Sequence, residues 1–109
     1  MLVELSIIPL GGDTHLSAEI AEALKIVEAS GLTYILTPAG TCIEGEWDEV
    51  MPLVRQCHNR VREMSQHVIT LIKIEDEAGA SDKLTRNVTS VEEKVGTSLK
   101  RLKRAPGKN

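Results

Sequence analysis

Residues 31–51 read GLTYILTPAGTCIEGEWDEVM, and the fold turns on how this stretch divides. Leu32 to Thr37 is β-branched and aromatic enough for a strand. Pro38 and Gly40 then turn the chain into a second strand over Thr41 to Gly45, so the two make a hairpin. The Glu44-Gly45-Glu46 turn ends it. Beyond that turn Val50, Leu53, Val54, Cys57, Val61 and Met64 form one apolar stripe at helical spacing. Pro52 is expected close to the first turn of this helix, where a missing N–H costs least, or else at a kink.

Upstream, Gly31 is a good C-terminal stop for a helix in which Leu16, Ile20, Ala23, Leu24 and Val27 recur at the same spacing. Asp13 or Thr14 is its expected cap, after a Gly11-Gly12 turn. Residues 2–10, LVELSIIPL, alternate as a strand does, with Val3, Leu5 and Ile7 on one face and Leu2, Glu4, Ser6 and Ile8 on the other. Pro9 closes that strand, having no N–H for a ladder. Downstream, HVITLIKIE (residues 67–75) is the most strand-like run of the chain, and Glu75 to Lys83 reads as a polar loop. Ser90 and Glu93 make a capping-box pattern for a last helix marked by Val91, Val95, Leu99 and Leu102.

Strand, helix, strand, strand, helix, strand has one economical solution. It is an α+β, ferredoxin-like βαββαβ sandwich, a four-stranded antiparallel sheet with two helices on one face, here with an extra C-terminal helix. Residues 1–99 make the single domain, and residues 100–109 a basic helix end and tail. The second sheet face, carrying residues such as Leu2, Ile8, Ile69 and Leu71 or their neighbours, is left bare by the chain itself. Apolar residues on a bare sheet call for a partner, so a homo-oligomer is expected.

The chain has 109 residues, enough for one core and too few for two. It has no Phe, so that core is aliphatic. Residues 1–99 carry eight basic against sixteen acidic groups, a balance of −8, while Lys100, Arg101, Lys103, Arg104 and Lys108 crowd the end. An acidic body repels phosphate backbones, which argues against nucleic acid as a partner. With no apolar run that spans a bilayer and no leader pattern, a cytoplasmic location without membrane attachment is expected.

No catalytic set emerges. Cys42 and Cys57 match neither a redox nor a metal spacing and read as buried thiols. His15, His58 and His67 show no ligand spacing, so neither a metal nor another cofactor is expected. Cys57 and His58 are helix neighbours that point apart, a core thiol beside a surface imidazole. Gly11-Gly12 lacks the phosphate-binding fingerprints. A sheet that offers only Tyr34 for stacking is not an RNA platform. No enzyme is expected.

ELSIIPLG in the first strand, GLTYILTPAGTCIEGEWDEVM through the hairpin, VITLIKIED in the last strand and VTSVEEKV near the end together resemble the small thiamine-binding protein family. The likeness runs from residue 2 to about 98, with Gly40-Thr41 followed by Glu44-Gly45 as its most specific element. The resemblance implies a ferredoxin-like protomer assembled into a homotetramer, a dimer of dimers. It also implies binding of thiamine or its hydroxymethylpyrimidine moiety without a reaction, as a carrier or sensor in vitamin B1 salvage.

On that basis Glu44 is the expected partner of the aminopyrimidine. A carboxylate accepts from the exocyclic amine and binds a protonated ring nitrogen beside it. Trp47 and Tyr34 are the aromatic candidates against the thiazolium cation. Ser6, Thr37 and Thr41 complete the candidate ligand-binding set, with Thr41 on the opposite parity from Glu44 and acting through the turn. Glu75-Asp76-Glu77 and Asn87 stand where the family pattern is basic, which favours an unphosphorylated, cationic ligand. The rival reading is a ligand-free interaction protein that assembles through its open sheet.

Overall fold

The computed structural model describes residues 1–11 and 17–101. The strand β1 spans Leu2–Pro9, the helix α1 Ser17–Ser30, β2 Thr33–Thr37, β3 Gly40–Glu44, α2 Trp47–Met64, β4 Val68–Glu75 and α3 Lys83–Val95. The strands form one sheet in the order β2-β3-β1-β4, with every neighbouring pair antiparallel. This is the ferredoxin-like arrangement expected of the chain, with α1 and α2 packed on one face. The expected cap of α1 at Asp13 or Thr14, and most of the basic tail, lie outside the described residues.

Strand alternation sorts the side chains. Val3 and Leu5 of β1 and Ile43 of β3 are buried against Ala23 and Val27 of α1 and Val50, Leu53, Val54, Cys57 and Val61 of α2. The stripe read from sequence on α2 is this core face, apart from Met64, which is exposed. Removing such aliphatic side chains from water supplies about 1.5–3 kcal/mol each, which is how a core without Phe suffices. Arg60 of α2 ties the two helices at their rim, donating to Glu22 at 2.9 Å and to Glu63 at 3.1 Å.

α2 starts earlier than Pro52 alone would suggest. The Glu49 carboxylate reaches back to accept from the Glu46 N–H at 2.9 Å, which closes the first turn at Trp47. Pro52 therefore sits in the second turn, inside the helix.

The last helix differs most from expectation. α3 begins at Lys83 and ends before Gly96, which adopts a positive φ of 90°. Ser90 is thus mid-helix, not a cap, and Leu99 lies beyond the helix. The start is fixed from elsewhere in the chain: the Lys83 backbone N–H donates to the Glu44 carboxylate at 2.6 Å. One turn on, Asn87 donates to Glu75 at 2.8 Å. Glu44 and Glu75 flank Leu2 across the sheet, so the first turns of α3 lie over that end of the outer face. The rest of that face stays open, with Leu71 56% and Ile69 43% exposed.

Candidate functional site

The hairpin tip is built from side-chain to backbone bonds. The Thr37 hydroxyl donates to the Gly40 carbonyl at 2.8 Å and accepts from the N–H groups of Ala39 and Gly40 at 3.2 and 3.1 Å. Thr37 is fully engaged in holding the turn. Ser6, on the neighbouring strand, donates to the Ala39 carbonyl at 3.1 Å. A Cβ on Gly40 would stand 2.8 Å from Ser6 Oγ and 3.0 Å from the Leu5 carbonyl oxygen, so only glycine permits this approach.

Between this tip, α1 and the second half of β1 lies an apolar recess of about 270 Å³. Ile7, Ile8, Ile20, Leu24 and Leu36 form its walls, Ala23, Val27, Cys57 and Val61 its floor, and Ser6, Thr37, Gly40 and Thr41 its polar rim. Thr41 is the one buried polar residue among those described. It sits on the helix side of the sheet, as its parity required, and its hydroxyl bonds to no other described residue. At the floor, Cys57 donates to the Ala23 carbonyl at 3.5 Å, and burial pushes its thiol up to about 11.

Three of the six expected site residues therefore converge on the recess: Ser6, Thr37 and Thr41. The other three do not. Glu44 shares the outer face with Ser6 but lies four residues along the ladder, about 13 Å away at strand rise, where it caps α3. Tyr34 faces the helices and donates its hydroxyl to Glu28. Trp47, at the first residue of α2, is 55% exposed. It lines a separate shallow groove with Met51, His58 and Ile72, in which His58 Nδ1 lies 2.6 Å from the Thr70 hydroxyl. The apolar floor and walls are legible in the sequence as core and strand residues. That they leave a recess is not, because a cavity depends on where the hairpin stops.

Cys57 is buried as expected, but Cys42 is only half-buried, on the outer face beside Glu4. Partial burial, with Glu4 close by, raises its pKa too. The acidic loop is partly neutralised from within, since Lys83 pairs with Glu77. That pairing, through the hydrogen bond first and charge second, lowers the Glu77 pKa. No group of His, Cys, Asp or Glu among the described residues is arranged to hold a metal ion.

The model of the thiamine-binding protein family matches residues 3–92, from the first core residue of β1 through most of α3. The chain belongs to the thiamine-binding protein family. A UPF0045 protein of Methanothermobacter thermautotrophicus is 37% identical over 95 residues, covering 84% of this chain and 96% of the relative. A UPF0045 protein of Synechocystis is 34% identical over 70 residues, covering 64% of this chain and 58% of that longer relative. In three dimensions, the crystal structure of a hypothetical protein from Methanocaldococcus jannaschii superposes with a TM-score of 0.78 at 25% identity, covering 84% of this chain and 95% of that one. No helix among the described residues is long and apolar enough to cross a membrane.

Proposed function

We propose that this protein binds thiamine or its hydroxymethylpyrimidine moiety without transforming it, and serves as a cytoplasmic carrier or sensor in vitamin B1 salvage. Family membership supplies the ligand class. The observation that carries the reading on this chain is the recess beside the hairpin tip. It is preformed, apolar on its walls and floor, and furnished with few polar groups, as small-molecule sites are. About 270 Å³ falls just below the ~300–1,000 Å³ range for such sites, which suits one ring rather than the whole vitamin. The pyrimidine occupies the recess, and the thiazolium projects toward solvent.

Ser6, Thr37 and Thr41 frame the pyrimidine in this reading, with the Thr41 hydroxyl available to a ring nitrogen or substituent. Glu44 and Trp47 act at a distance, as the cap of α3 and as an exposed aromatic surface. The acidic body, at −8 over residues 1–99, favours a cation over its phosphorylated forms.

Assembly is the second part of the proposal. Ile69 and Leu71 on the outer sheet face are exposed, as are Val91 and Val95 on α3. Together they are covered in a homo-oligomer, a dimer of dimers. The competing reading, assembly without a ligand, rests on the same surface and makes no use of the recess.

Isothermal titration calorimetry with thiamine, hydroxymethylpyrimidine and thiamine diphosphate, on wild type and Thr41→Val, tests the choice. Saturable binding of the first two, weakened by the substitution, is expected. Silence for all three ligands from folded protein would defeat the binding reading and leave assembly alone.

A further inference from the structure

β1 is paired unequally along its two sides. β4 accompanies it for its whole length, from Leu2 opposite Glu75 to Pro9 opposite Val68. β3 accompanies it only from Leu2 to Leu5, where the ladder ends opposite Thr41. From Ser6 onward one edge of a central strand borders the recess and not another strand.

Which residue presents its backbone there follows from two bonds. In an antiparallel ladder the N–H and C=O of one residue point to the same side, and successive residues alternate. The Leu10 N–H donates to the His67 carbonyl at 2.8 Å, so the even-numbered residues of this strand face β4. The Gly45 N–H donates to the Met1 carbonyl at 3.1 Å, so the odd-numbered ones face β3. Beyond Leu5 the next odd residue is Ile7, whose counterpart in the register is Ala39.

Ala39 does not take up that place. Its carbonyl accepts from Ser6 Oγ and its N–H donates to Thr37 Oγ1, so both of its backbone groups are committed to the turn. The Ile7 N–H and C=O are left with no partner among the described residues. The following odd residue is Pro9, which has no N–H to offer. The open edge thus consists of one donor and one acceptor on a single residue, beside Leu36 and Ile20 in the wall of the recess.

We propose that this open backbone edge of Ile7 is the element that recognises the 4-aminopyrimidine. This rests on the binding reading given above. A strand residue with free N–H and C=O on one side complements a planar ring that carries an acceptor and a donor on adjacent atoms. In the aminopyrimidine the ring nitrogen accepts from the Ile7 N–H, and the exocyclic amine donates to the Ile7 carbonyl. Ser6 is a positioning residue, because its hydroxyl replaces Ile7 as the donor to Ala39 and so keeps the edge open. Gly40 permits the close approach that lets it do so.

The test is calorimetry on the full chain with thiamine and with its 4-oxo analogue, in which a carbonyl replaces the amine and the ring nitrogen becomes an N–H. Two bonds are then replaced by donor facing donor and acceptor facing acceptor, and binding at least about 100-fold weaker is expected. Ile7→Pro removes the N–H where no ladder uses it. It should weaken thiamine at least about 10-fold and narrow the gap between thiamine and the 4-oxo analogue, since the N–H that tells the two rings apart is then gone. If Ile7→Pro does not fold, the analogue alone decides.

Thiamine and the 4-oxo analogue binding equally would overturn the Ile7 assignment and leave the binding reading intact. So would a folded Ile7→Pro variant of unchanged affinity. Absence of binding by thiamine itself overturns both.

Discussion

Gly40→Ala tests the hairpin tip at its tightest point. The new methyl would meet Ser6 Oγ at 2.8 Å and the Leu5 carbonyl oxygen at 3.0 Å. The first contact can be relieved by moving a side chain, but the second is to backbone held in the β1–β3 ladder. Overpacking of this kind costs about 2 kcal/mol. Ser6→Ala by itself loses one hydrogen bond to the Ala39 carbonyl, worth about 1 kcal/mol. In the Gly40→Ala background the same change also removes the closer clash, so the double variant should be about 1 kcal/mol more stable than the sum of the singles. Equilibrium urea unfolding at one fixed protein concentration measures all four proteins. With a slope of about 1–3 kcal/mol per molar for a small domain, Gly40→Ala alone should lower the midpoint by roughly 0.7–2 M. An unchanged midpoint, or additivity of the two substitutions, would refute the packing argument for the tip.

Glu44→Ala should cost about 1 kcal/mol by uncapping α3, seen as faster amide exchange over the first turn of that helix, with thiamine affinity unchanged. Cys57 should resist alkylation until the protein unfolds, while half-buried Cys42 reacts first. Because the Cys57 thiol is held at about 11 by burial, above its unfolded value of 9.0, its contribution is complete below pH 9. It is lost as pH rises toward 11, and Cys57→Ala should flatten that decline in a pH series of melting curves. Leu71→Glu places a charge on the open outer face and should break the proposed homo-oligomer into smaller species by light scattering, with the recess still competent to bind.

The elements that announce themselves locally were readable in advance. Val3, Leu5 and Ile7 alternate and Ala23 and Val27 recur, so β1, α1 and their shared core followed from period alone. Thr41 lies on the opposite face from Glu44, as strand parity alone predicts, because parity is a local property. What escaped was fixed at long range. Ser90 and Glu93 have the local form of a cap, but the cap of α3 is Glu44, which belongs to a strand in the other half of the fold. Glu44 itself is expected, from the resemblance, to meet the aminopyrimidine, and no neighbour in sequence reveals that Lys83 will claim it. The recess escaped for a similar reason. Its existence depends on β3 ending opposite Leu5 while β1 runs on to Pro9, a difference between two strand lengths that appears only once they are paired.

The capping of α3 by a strand residue also bears on the order in which the chain folds. A 13-residue helix with three Val and two Thr is marginal by itself in water, because its first turn must be nucleated at a cost that few later bonds repay. Here the group that receives its first N–H arrives only when β3 is in place beside β1. Helix α3 must then form after the sheet, as a late event whose rate follows the assembly of β1 and β3 rather than its own propensity. In a transition-state analysis, substitutions along α3 should speed unfolding and leave the folding rate nearly untouched.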